Sequence, residues 1–87
     1  MKFIQNKKIF TKKIKGMYFL LEPNKRFMRE LNDVAGFIWN KLEKPMSIKK
    51  LTELICKNYS VTQIVAEKDI KNFIHDYSKS DYIVEVK

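Results

Sequence analysis

A small α+β domain of the winged helix-turn-helix kind is predicted by three observations. The hydrophobic period changes from about two to about 3.6 near residue 31. Three capping residues, Asn32, Ser47 and Thr62, each precede a run with helical spacing. A Ser80-Asp81 turn then leads into the short extended segment Tyr82-Ile83-Val84-Glu85-Val86. The architecture is therefore N-terminal antiparallel β-strands, three helices and a short C-terminal strand.

Between Ile9 and Leu31 the chain is rich in aromatic and β-branched residues and is broken by turn signals. Gly16 precedes Met17-Tyr18-Phe19-Leu20-Leu21, and Pro23-Asn24-Lys25 precedes Arg26-Phe27-Met28-Arg29-Glu30-Leu31. Pro23 fixes the φ of a first turn residue and Asn24 tolerates the left-handed region, so a tight turn here has a mechanism. Two or three short antiparallel strands follow from this pattern. In the last of them Phe27, Arg29 and Leu31 share one face while Met28 and Glu30 share the other.

Asn32 and Asp33 open the first helix, with Leu31, Val34, Ala35, Ile38 and Leu42 along one stripe, and the helix ends before Pro45. The second runs from Ser47 to Asn58 or Tyr59 on Ile48, Leu51, Ile55 and Tyr59. Thr62 caps the third, whose core arc is Ala66, Ile70, Phe73 and Tyr77. Ile74 lies at the flank of that arc, where it either widens the core or lines a groove, with Glu67, Lys71 and Ser78 beyond it.

The chain has 87 residues, which suits one domain over 1–87 with little room for both a core and a deep catalytic cavity. Its 45% hydrophobic content, with two Gly and two Pro, is that of a folding chain. One cysteine, Cys56, and one histidine, His75, provide neither a disulfide scaffold nor a zinc finger. No cofactor is implied, and a reducing cytoplasm is the expected location. The longest apolar stretch, Met17 to Leu21, is far short of a membrane span, so no membrane insertion is expected. Neither His75 nor Cys56 sits in a nucleophile and base constellation, so no enzyme is expected.

Eighteen Lys and Arg against ten Asp and Glu give a formal charge of +8, which favours an anionic partner. The excess is concentrated: residues 1–31 hold nine cations and two anions, a net of +7, and residues 32–87 are nearly neutral. A winged helix that binds DNA is the competing reading. Its natural reading helix, the third, exposes Glu67, Lys68, Asp69, Lys71, Asp76 and Lys79, and such mixed charge makes nucleic acid an unlikely partner in a phosphate-lined groove. The strand 26–31 lies at a sheet edge, where unpaired N–H and C=O groups can receive an extended chain.

The series Leu31-Asn32, Phe37-Ile38-Trp39, Ser47-Ile48 with Leu51, Tyr59, then Asp69-Ile70 with Phe73-Ile74 resembles the PqqD-like family, also called RiPP recognition elements. The likeness runs from about Gly16 to Val84. Lys44 or Pro45 and Asp81 stand where that family commonly has glycine. The resemblance implies a non-catalytic module that binds the leader region of a ribosomally made precursor peptide. It also implies a second partner, a modifying enzyme such as a radical SAM enzyme, or a leader peptidase as in lasso-peptide pathways. The leader would add as a strand to Arg26, Phe27, Met28, Arg29 and Glu30 and lie against Ile70, Lys71, Ile74 and Tyr77 of the third helix. The basic strand region would then suit a leader rich in Asp and Glu.

Overall fold

The computed structural model describes residues 1–23 and 28–87. In chain order the elements are β1 (Lys2–Gln5), β2 (Phe10–Ile14), β3 (Met17–Leu21), β4 (Met28–Leu31), α1 (Asp33–Lys41), α2 (Ile48–Asn58), α3 (Gln63–Lys79) and β5 (Ile83–Val86). The three helices begin where the capping residues place them. Asn32 Oδ1 accepts from the Ala35 N–H at 2.8 Å, Ser47 Oγ from Lys50 at 3.0 Å and Thr62 Oγ1 from Val65 at 3.3 Å. Each cap satisfies a backbone donor that has no partner inside the helix and contributes about 1 kcal/mol.

The strands form two antiparallel sheets. β2, β3 and β4 are adjacent in that order, and β1 pairs with β5. The first strand adds to the sequence expectation, which placed no strand before Ile9. Residues 2–5 lack any turn signal or long alternation of their own, and their order comes from partners far along the chain. Phe3 lies opposite Glu85 in the ladder and exchanges two backbone hydrogen bonds of 2.8 Å with Met46. The Gln5 N–H donates to the Leu42 carbonyl at 2.9 Å.

The β2–β3 hairpin closes on two residues, Lys15 and Gly16, with φ of 51° and 83°. Two successive positive φ values make a type I′ turn, whose twist matches that of the strands it joins. Asp81, at φ 61°, likewise takes the left-handed conformation between α3 and β5, as a short polar side chain tolerates. The proposed turn residues Asn24 and Lys25, and the strand residues Arg26 and Phe27, lie outside the described residues.

One face of the three-stranded sheet, including Leu20 and Leu31, turns toward the helices and packs with Ile38, Trp39, Leu42, Leu51 and Ile70. Trp39 is fully buried, and its Nε1–H donates to Thr11 Oγ1 at 2.7 Å, tying α1 to β2. Gly36 lets α1 approach β3: a Cβ there would come within 2.8 Å of Tyr18 Cδ2. The Tyr18 hydroxyl in turn accepts from Asn40 Nδ2 at 2.7 Å. The opposite face of the sheet carries exposed Phe10, Met17 and Met28 around half-buried Phe19 and Leu21.

Candidate functional site

The parity of the sheet decides which backbone groups of β4 are available. In an antiparallel ladder both polar groups of a residue point to the same side, and the side alternates along the strand. The two-residue turn makes Ile14 and Met17 a hydrogen-bonded pair, so Phe19 and Leu21 also bond toward β2. Tyr18 and Leu20 must then bond toward β4, where they face Leu31 and Arg29. Met28 and Glu30 are left with N–H and C=O groups pointing away from the sheet, where among the described residues no strand pairs with β4.

Beside this edge lies a groove of about 490 Å³. Arg29 and Glu30 form its β4 wall, Asn32, Val34, Ala35 and Ile38 its base, and Asp69, Asn72, Phe73, Asp76 and Tyr77 its α3 wall. The Arg29 guanidinium sits over the Tyr77 ring at 4.4 Å and near that of Tyr82 at 5.6 Å. Tyr77 is also stacked on Phe73 with ring centroids 3.8 Å apart and meets Tyr82 edge-on at 5.7 Å. Burial pushes the Tyr77 phenol above its ordinary pKa of 10.0, and the Arg29 charge pulls it part of the way back.

Of the residues named from sequence, Arg29 and Tyr77 come together at this groove, Glu30 borders it, and Met28 and Glu30 both carry their side chains on the outer sheet face. Ile70 and Ile74 are 0% and 6% exposed and belong to the core, so the flank position of Ile74 widens the apolar arc. Lys71 points to the other side of α3, where it pairs with Glu67 at 3.3 Å beside a cleft between α2 and α3. That cleft, about 900 Å³ and lined by Ile48, Thr52, Cys56 and Val61, is larger than the groove. None of its lining residues belongs to a strand, and a sheet edge is what makes the smaller groove distinctive.

Sequence reasoning missed Asn32, Val34, Ala35, Ile38, Asp69, Asn72, Phe73 and Asp76 as groove residues. On a helical wheel Asp69 lies roughly 140° from Ile74, on the opposite flank of the same arc. Both flanks have the same periodic signature, and only the packing of α3 against the sheet distinguishes them. The Arg29 guanidinium has an intramolecular seat on Tyr77 and Tyr82. Among the described residues no group of three or more His, Cys, Asp and Glu could hold a metal ion, and no helix is long and apolar enough to cross a membrane.

Two solved structures share this fold. One, described as TbiB1 in complex with the TbiA(beta) leader peptide, superposes with a TM-score of 0.82 at 21% identity over 97% of this chain and 98% of its own. The other, lasso peptide synthetase B1 complexed with the leader peptide, gives 0.84 at 20% identity over 97% and 99%. No curated protein matches the chain at a significant level. The sequence profile described as Coenzyme PQQ synthesis protein D (PqqD) matches residues 18–83, from β3 to the start of β5, and the chain accordingly belongs to the PqqD family.

Proposed function

We propose that this protein binds the leader region of a ribosomally made precursor peptide as an added strand on β4 and presents it to a modifying enzyme or leader peptidase. The observation that carries the reading is the open β4 edge beside a groove with an apolar base. Main-chain hydrogen bonds at Met28 and Glu30 supply affinity for any extended peptide, and the groove supplies selection. Both similar structures were determined with a leader peptide bound, which favours a lasso-peptide pathway over a radical SAM one. The protein itself acts without catalysis, as one cytoplasmic domain whose partner carries out the chemistry.

Titration with the leader half of a precursor peptide encoded beside this protein, followed through backbone amide shifts, tests the reading. The Met28 and Glu30 amides move on binding. If they stay still while a duplex oligonucleotide binds with steep salt dependence, the protein is instead a winged-helix DNA-binding module.

A further inference from the structure

The charge of the groove is opposite to that of the protein. The chain carries +8 overall, yet among the described residues the charged side chains that face the groove are Arg29, Asp69 and Asp76, one cation against two carboxylates, because Glu30 shares the outer sheet face with Met28. Among the described residues none of these carboxylates is in an ion pair. Arg29 is already committed to the rings of Tyr77 and Tyr82.

Among the described residues the lysines of the strand region lie elsewhere. Lys12 and Lys13 are on β2, Lys7 and Lys8 precede it, and Lys15 is in the turn after it. β2 is two strands from β4, about 9–10 Å, a distance comparable with the Debye length at physiological salt. Asp69 and Asp76 are exposed themselves, but a side chain seated in the groove comes into direct contact with them, and at that range they outweigh lysines about 10 Å away across water.

From this polarity we infer that the groove selects a peptide strand with a lysine or arginine among its groove-facing side chains, paired to Asp69 or Asp76. Asp69 and Asp76 are two turns apart on the same side of α3, with Phe73 between them. A long cationic side chain can lay its methylenes on Phe73 and Ile38 and still deliver its charge to either carboxylate. A peptide acidic on that face meets repulsion and the cost of desolvating like charges together. The expectation of a leader rich in Asp and Glu, drawn from summed charge, is thereby reversed for the residues that enter the groove.

This inference rests on the peptide-binding reading of the groove, and the experiment separates the two. Random short peptides displayed on phage are selected on the whole protein, and the winners are synthesised with each Lys or Arg in turn replaced by Glu. Selected peptides shift the Met28 and Glu30 amides and are enriched in basic residues at alternate positions. One Lys to Glu change in the peptide weakens binding about tenfold or more. Asp76→Lys or Asp69→Lys, with unchanged circular dichroism, reverses the preference so that the Glu peptide becomes the tighter ligand. Peptides that shift the β4 amides without basic enrichment, or a lysine preference that survives Asp69→Asn/Asp76→Asn, overturn the inference and leave peptide binding intact. If no selected peptide moves the β4 amides, the peptide-binding reading fails and the inference fails with it.

Discussion

β2 and β4 bound the same three-stranded sheet, and on each one row of backbone N–H and C=O groups has no strand beside it among the described residues. On β2 the outward-pointing residues are Thr11 and Lys13, by the same alternation that frees Met28 and Glu30 on β4. The Thr11 side chain already accepts the Trp39 indole N–H, Lys13 lies near the Tyr18 ring at 5.5 Å, and Lys12 and Lys15 add further charge. Lysines are a common guard against edge-to-edge pairing, because a second strand would have to desolvate them. On β4 the two charges, Arg29 and Glu30, are of opposite sign, and an α-helical wall stands opposite. Equal backbone chemistry is thus guarded by lysines at one edge and left open beside a helical wall at the other.

The largest effect should come from the residue that holds both edges to the helices. Leu20, 1% exposed in the middle strand, should lose about 2–5 kcal/mol of stability on truncation to Ala, measured by urea denaturation, and should impair both edges together. The edges separate under proline substitution. Met28→Pro or Glu30→Pro removes an outward donor from β4 and should weaken leader binding roughly tenfold while the fold persists. Lys13→Pro removes the corresponding donor from β2 and should leave that affinity unchanged. Arg29→Pro strikes an inward donor and should lower stability, so equal behaviour of Met28→Pro and Arg29→Pro would show that the parity is wrong.

Arg29→Ala should cost about 1 kcal/mol through lost contact with two rings, and it should raise the Tyr77 pKa further, read by ultraviolet titration of the phenols. The sign of the pH dependence follows from burial. Tyr77 holds its proton more tightly when folded, so its contribution is fully present below the ordinary value of 10.0 and declines as pH rises above it. Removing Arg29 should extend that decline to higher pH. The smallest change is Lys71→Ala, which deletes an exposed i, i+4 pair on the far side of α3. It should alter stability by no more than about 0.5 kcal/mol and leave leader binding unchanged.

Local signals carried most of the architecture. Asn32, Ser47 and Thr62 mark helix starts through hydrogen bonds that span three residues, and such short-range chemistry is readable in one sequence. β1 was not legible, because Phe3 depends on Met46 and Glu85, partners it meets only in the fold. The same limit applies at the groove. The open edge at Met28 and Glu30 follows from strand order and alternation, but the choice between the Ile74 and Asp69 flanks of α3 is a tertiary fact. Gly36 is a similar case: without Tyr18 beside it, nothing distinguishes it from an incidental glycine in a helix.

The outer face of the sheet has a consequence for any complex formed at β4. A strand added there continues the pleat, so its side chains alternate between the groove and the face that carries Met28, Leu21 and Phe10. Half of the guest's side chains would therefore remain visible from outside, in one row with the host's exposed methionine and phenylalanine. The surface so formed is composite and exists only while the edge is occupied. A third protein that touches this face would distinguish a loaded carrier from an empty one without contacting the groove at all.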